Sequence, residues 1–218
     1  MTIPSIPTKG RTLDYAASVY DLLEPLCLLN RQAEYDDTLI RTLDPRPSDA
    51  ILDLGCGTGL LCHKISALLD AGQGGYIVGI DAAGKMIEAA RSKRGADTCR
   101  FEAMAAENLG FPDASFDAVI SSLFYHHVPL DLKRQSLQEA FRVLKPGGKL
   151  MIADMHKPTS FFGSLISHAS RWLLVQPQIG ENIRGVLPGL IEEAGFLPPQ
   201  IVASYFGYIS VFLTTKPV

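Results

Sequence analysis

A chain of 218 residues, 47% of them hydrophobic and 20% charged, has the composition of a globular protein and the length for one substantial core with a small appendage. The net charge is −3, and the single compact basic run, Arg91-Ser92-Lys93-Arg94, is too small to track a phosphate backbone, which excludes nucleic acid as the main partner. No segment reaches the ~20 apolar residues of a membrane span, and Met1 to Pro7 carries two prolines rather than a signal-type apolar core. Cys27, Cys56, Cys62 and Cys99 lack paired metal-ligand spacing and read as reduced thiols, so a cytoplasmic protein with no metal is expected.

In chain order, Leu13 to about Leu43 has apolar residues at helical spacing, with Pro25 interrupting and Pro45 and Pro47 closing it. This predicts a helical preface over 1–47 rather than a separate domain, within a single unit spanning 1–218. A regular alternation follows. Ala50 to Leu54 is a strand, Leu60 to Leu69 a helix, Gly75 to Ile80 a strand and Lys85 to Arg91 a helix. Thr98 to Ala103 and Phe116 to Ser121 are further strands, and Leu130 to Leu144 is an amphipathic helix. Pro146-Gly147-Gly148 then turns the chain into the strand Lys149 to Asp154. Strands that are apolar nearly throughout are buried on both faces, which predicts a parallel sheet covered by helices on both sides. Ile201 to Phe206 and Tyr208 to Thr215 are joined so tightly at Gly207 that they must be antiparallel neighbours.

The strand Ile51-Leu52-Asp53-Leu54 runs into Gly55-Cys56-Gly57-Thr58-Gly59, a turn whose bare backbone lets a ligand approach closely. Three features separate it from a dinucleotide loop. Leu60 stands where a pyrophosphate site has its third glycine. Asp53, directly before the turn, suits a cationic or donor-rich ligand and repels pyrophosphate. Asp81, at the end of the next strand, can accept the hydrogen bonds of a ribose diol. Adenosine without phosphates, joined to an amino acid, satisfies all three.

The same residues, with Gly79-Ile80-Asp81, Ala106-Glu107-Asn108-Leu109, Ser115-Phe116-Asp117, His126-His127 and Arg142 to Gly148, resemble the class I S-adenosylmethionine-dependent methyltransferases. The resemblance is strongest to the branch of ubiquinone and menaquinone C-methyltransferases, and it runs from about Tyr15 to the C-terminus. It implies a Rossmann-like, seven-stranded, mostly parallel α/β sheet with one antiparallel strand, order 3-2-1-4-5-7-6. Carried over residue by residue, it implies that Asp53, Gly55, Cys56, Gly57 and Gly59 hold the methionine end of S-adenosyl-L-methionine. Asp81 and Ala82 would take the ribose, Met86 one face of the adenine, and Ala106 and Glu107 its edge. Ser121 would offer backbone to the ammonium group, and Tyr15 and Tyr20 would close over the cofactor. One departure stands out. The family usually places an Asp at the position of Ala105 to read the adenine amino group, so Glu107 or backbone must replace it here.

A methyl acceptor at carbon or hydroxyl needs a general base, and an amine or thiol needs one less. Tyr125, His126 and His127 follow the fourth strand at its ligand-facing end and are the candidates, with His156 as a further one. Ser160 to Val175, inside a lid-like insertion over 159–178, sets Phe162, Leu165, Ile166, Ala169, Trp172 and Leu173 on one helical face. It is read as a lid with aromatic walls. The acceptor is expected to be a small, partly apolar molecule: a quinone precursor, an aromatic metabolite or a thiol. An amine N-methyltransferase acting on lipid head groups, and a non-catalytic cofactor-binding regulatory protein, are the competing readings. A monomer or a homodimer fits either.

Overall fold

The computed structural model describes residues 2–10, 12, 14–17, 28, 30–173 and 178–218. Its seven strands are β1 (Ala50–Leu54), β2 (Tyr76–Asp81), β3 (Cys99–Ala103), β4 (Phe116–Ser122), β5 (Leu144–Met155), β6 (Gln200–Tyr205) and β7 (Ile209–Thr215). They form one sheet in the order β3-β2-β1-β4-β5-β7-β6. The first five are parallel, and β7 runs antiparallel to both β5 and β6. This is the strand order expected from the resemblance.

Side-chain alternation along these strands divides the interior into two layers. Leu52, Leu54, Val78, Val119 and Ile152 point to one face. They meet Leu137 and Ala140 of α4 (Leu130–Val143) and Leu190 and Ile191 of α7 (Leu187–Glu193). Ile51, Ile77, Ile120 and Met151 point to the other. There they meet Leu39 of α1 (Gln32–Leu43), Ile65 of α2 (Leu60–Ser66) and Ile87 of α3 (Gly84–Arg94). Helices therefore cover both faces.

Three local expectations are corrected. Among the described residues the preface is not one continuous helix: residues 2–8 run without helix or strand, a 3-10 turn occupies Asp14–Ala16, and α1 spans Gln32–Leu43. Pro25 and Tyr20 lie outside the described residues. The helix after the glycine turn stops at Ser66, because Leu68 and Leu69 donate to Ile65 and Ser66 in tighter three-residue turns. Pro146-Gly147-Gly148 lies within β5, which starts at Leu144, rather than before a strand starting at Lys149. Leu144 already pairs with Phe116 and Lys149 with Ala118, so Lys145 to Gly148 bulge out opposite Asp117. Lys145 Nζ fastens the bulge to both carboxylate oxygens of Asp117 at 2.8 Å.

At the other end of the sheet, Phe206 (φ 54°) and Gly207 (φ 71°) are the central residues of the turn in the three-residue connection between β6 and β7, with Tyr208 N donating to Tyr205 O at 3.1 Å. Two positive φ angles give the turn a twist that matches the strands it joins. The inserted helix α5 (Phe161–Leu173) leans on this turn: Thr159 N donates to Gly207 O at 2.8 Å, and a Cβ on Gly163 would lie 2.3 Å from that same oxygen. A short helix, α6 (Ile179–Asn182), follows. Among the described residues no helix is long and apolar enough to cross a membrane.

Candidate functional site

The glycine turn joins β1 to α2 in a conformation that only glycine adopts cheaply. Gly55 and Gly59 have φ angles of 74° and 82°. A Cβ on Gly55 would sit 2.4 Å from the Phe124 ring, and one on Gly59 would lie 2.4 Å from Phe101. The turn is also tied to β2. Gly55 N and Cys56 N both donate to Ile80 O at 2.9 Å, and Gly57 N donates to Asp81 Oδ2 at 3.1 Å.

Beside it, Asp53 is 2% exposed. Its Oδ2 accepts from the Cys62 thiol at 3.1 Å, and its Oδ1 has no partner. Burial raises the carboxyl to about 7; the Cys62 hydrogen bond pulls it down and the charge of Asp81 pushes it further up. Asp81 is likewise raised by burial, to about 6, against the N–H groups of Ala83 and Gly57 that favour its ionised form. Burial also pushes the Cys56 thiol to about 11 and the Cys62 thiol well above its ordinary value. These thiols are therefore neutral and are not nucleophiles. A buried carboxylate with one orphaned oxygen, beside a second that is partly buried, forms a site that a cationic, donor-rich ligand would complete.

Two clefts meet at Gly55 and Gly57. The first is the more spacious of the two. Asp81, Ala82, Met86, Ala106 and Glu107 line it on one side, and Leu123, Phe124, His127 and Val128 on the other. The second is smaller and polar, with Asp53, Cys56, Thr58 and Ser122 beside Gln32 and Asp36 of α1. Asp36 is buried and takes hydrogen bonds from Lys64 Nζ at 3.0 Å and Gln32 Nε2 at 2.9 Å. Buried Gln32 Oε1 is a second unpartnered acceptor in this cleft.

Several residues singled out from the sequence lie elsewhere. Gly59 lines neither cleft and serves the packing of α2 on β3. Ser121 is buried with its hydroxyl on Leu54 O at 2.9 Å; β4 runs one residue longer than expected, so Ser122 faces the polar cleft instead. Tyr15 is 69% exposed and lines neither cleft. Residues without a local sequence signal, among them Thr8, Gly10, Phe124, Gln32 and Asp36, do line the clefts.

Beyond β4, the 3-10 turn Tyr125–His127 splits the three base candidates. Tyr125 is fully buried in the core, and burial drives its phenol above the ordinary range. It does not line the cleft, which corrects its assignment as a base. His126 Nδ1 lies 2.8 Å from Asp154 Oδ1, and His127, its ring 4.0 Å from that of His126, lines the first cleft. Asp154 has no exposed surface, and burial alone would raise it. The charge and hydrogen bond of His126, the N–H of Met155 and the charge of His127 outweigh burial and hold it below the ordinary carboxylate range. Asn182 Nδ2 adds a contact to the same oxygen at 3.2 Å. His156 lies apart, against Phe212, with Nδ1 buried and unpartnered.

Residues 52–152, which carry the turn, Asp81 and the histidines, match a family model described as a methyltransferase domain. The ubiquinone/menaquinone biosynthesis C-methyltransferase of Pectobacterium atrosepticum is 32% identical over 203 aligned positions, covering 83% of this chain and 79% of the relative. The chain belongs to the class I S-adenosylmethionine-dependent methyltransferases. The corresponding enzyme of Vibrio vulnificus is 29% identical over 222 aligned positions, covering 88% of this chain and 84% of that one. An S-adenosylmethionine-dependent methyltransferase from Aquifex aeolicus shares the fold, with a TM-score of 0.69 at 19% identity over 94% of this chain and 99% of the other. The [4+2]-cyclase SpnF shares it as well, at a TM-score of 0.68 and 18% identity over 99% of this chain and 98% of the other. Such likeness shows fold alone, so the reaction must be argued from the site. As a methyltransferase, the protein uses S-adenosyl-L-methionine as methyl donor and acts on a small-molecule acceptor.

Proposed function

We propose that the enzyme methylates carbon or oxygen on a small, partly apolar, hydroxylated ring of the quinol-precursor type, with His127 as general base. The observation that carries this reading is the His126–Asp154 pair behind His127. A buried carboxylate holding one imidazole, packed at a tilt against a second that lines the cleft, stabilises positive charge where a proton would arrive. An amine acceptor needs no such device, whereas a phenol or an enol carbon does. The apolar wall of Leu123, Phe124 and Val128 beside His127 suits an aromatic acceptor. Relatives that carry the name of quinone-biosynthesis C-methyltransferases support the same acceptor class.

In this reading the polar cleft takes the methionine end of the donor. The orphaned Asp53 oxygen meets its ammonium group, Asp81 its ribose, and Met86 one face of its adenine. The donor, when bound, supplies an already activated methyl group, so the protein's part is alignment, exclusion of water and removal of one proton. His127 takes that proton from the acceptor hydroxyl, and Asp154 steadies the resulting charge through His126.

The test is release of S-adenosylhomocysteine across hydroquinones, phenols, thiols and amines, with His127→Ala and Asp154→Asn beside the wild type. Turnover of hydroquinones or phenols is expected to fall roughly 10²–10⁴-fold in His127→Ala, the range for loss of a general base, with donor affinity unchanged. Undiminished turnover in that variant, or equal turnover of simple amines by the wild type, would sink the assignment.

A further inference from the structure

The adenine end of the first cleft lacks an acceptor where one would be simplest to build. The residue following β3 and Met104 is Ala105, buried and without a polar side chain. The N-terminal segment Ile3 to Gly10, which has neither helix nor strand of its own, reaches this cleft with Thr8 and Gly10, which line it beside Glu107. It is fastened at three places around the cleft. At the start of α3, Ile3 N donates to Glu88, Ile6 N donates to Ala82 O at 2.8 Å, and Ser5 Oγ accepts from Gly84 N at 2.9 Å. In the β3–β4 connection, Thr8 Oγ1 donates to Glu107 Oε1 at 2.5 Å. At the start of α4, Lys9 pairs with Asp131 at 3.0 Å, and Gly10 packs so closely on Val128 that a Cβ would come within 2.9 Å.

A segment pinned to the end of β2, to the β3–β4 connection and to α4 spans the slot those elements leave between them. Its polar contact with the slot is specific. Thr8 Oγ1 accepts from Gly10 N at 3.1 Å, which directs its proton towards Glu107. Glu107 Oε1 is thereby held, and Oε2 has no partner among the described residues although Glu107 lines the cleft. A fixed carboxylate with one open oxygen recognises an amino group and repels a carbonyl.

We propose that Ile3 to Gly10 is a strap forming the outer wall of the adenine slot, and that Thr8, acting as a positioning residue, aims Glu107 at the adenine 6-amino group. The proposal rests on the donor-site reading above, in which Asp81 and Met86 hold the nucleoside. It assigns to the chain's first residues a part in choosing an adenine nucleoside over a 6-oxo purine nucleoside.

The experiment compares binding of S-adenosylhomocysteine and its deaminated 6-oxo counterpart, S-inosylhomocysteine, by calorimetry on the full chain. The wild type should prefer the amino compound by roughly tenfold to a hundredfold, the worth of one charge-assisted hydrogen bond. Glu107→Gln should collapse that preference, because an amide can donate to the 6-oxo group as readily as it accepts from the amino group. Thr8→Val should weaken the amino compound and narrow the preference, and Thr8→Ser should restore both. A merely structural Thr8 would change stability and leave the preference intact. Equal binding of the two compounds by the wild type, or an unchanged preference in Glu107→Gln and Thr8→Val, would overturn the proposal. Failure of both compounds to bind the wild type would instead fell the donor-site reading, and the strap's role with it.

Discussion

Holding a carboxylate ionised without solvent and with one oxygen unpartnered is costly, and in the proposed donor site that cost at Asp53 becomes a means of recognition. With Asp53 shifted from 3.8 to about 7 and Asp81 to about 6, the ligand-free fold favours their neutral forms. The folded state binds more protons than the unfolded one between these values. Their contribution to stability is therefore complete below about 3.8 and is lost as the pH rises through about 6 to 7. Thermal unfolding of the ligand-free protein should show this decline, and Asp53→Asn should flatten it. A cationic donor reverses the preference, so its binding should strengthen from pH 6 to pH 8 and release protons near neutrality, measurable as a buffer-dependent heat. Asp53 and Asp81 were readable in the sequence because each sits at a strand end beside the glycine turn. Glu107 was readable as well, within the block Ala106 to Leu109, but its partner Thr8 was not, since 99 positions separate the two and Thr8 belongs to no local pattern. Tyr125 looked equivalent to the two histidines after it; only the 3-10 turn sends it into the core and leaves His127 at the cleft.

The strands were legible because apolar runs flanked by turn residues have few other uses. Element ends and irregular connections were less so, since they depend on partners distant in sequence. The Lys145–Gly148 bulge is held by Asp117 on β4 and by Lys216 near the C-terminus, contacts that no window around Pro146 contains. The β6–β7 turn shows how one such connection serves another element. A Cβ on Gly207 would meet Ser160 Oγ at 2.1 Å and would stand at a positive φ, so α5 depends on a bare residue in the hairpin. Gly207→Val should cost about 1–3 kcal/mol from backbone strain alone, read from urea denaturation. If α5 shapes the acceptor pocket, the same variant raises the acceptor KM and leaves donor Kd unchanged.

For the molecule as a whole, both clefts lie along the ends of β1, β2 and β4, where loops from separate elements converge. A donor bound there stabilises the folded state by mass action, by about 2.7 kcal/mol at a hundred times its Kd. For a domain of this size that corresponds to a rise in Tm of roughly 5–11 °C. Asp81→Ala should abolish most of the shift, because it removes both a ligand contact and the acceptor that holds Gly57 N. An unchanged shift in scanning calorimetry would remove Asp81 from the donor site. The sheet order followed from the family resemblance, and the reversed strand also from the tight connection at Gly207. The acceptor was not legible, because the apolar cleft wall beside His127 comes from the turn after β4, whose sequence names no substrate.

The fastening of the glycine turn to β2 bears on how the enzyme distributes entropy. Gly55, Cys56 and Gly57 donate their N–H groups to Ile80 and Asp81, partners that belong to the chain itself. Three residues that would otherwise be among the most disordered of the chain are thus ordered during folding, not during capture of the donor. The donor meets a finished cradle, and little of its intrinsic affinity is consumed in shaping it.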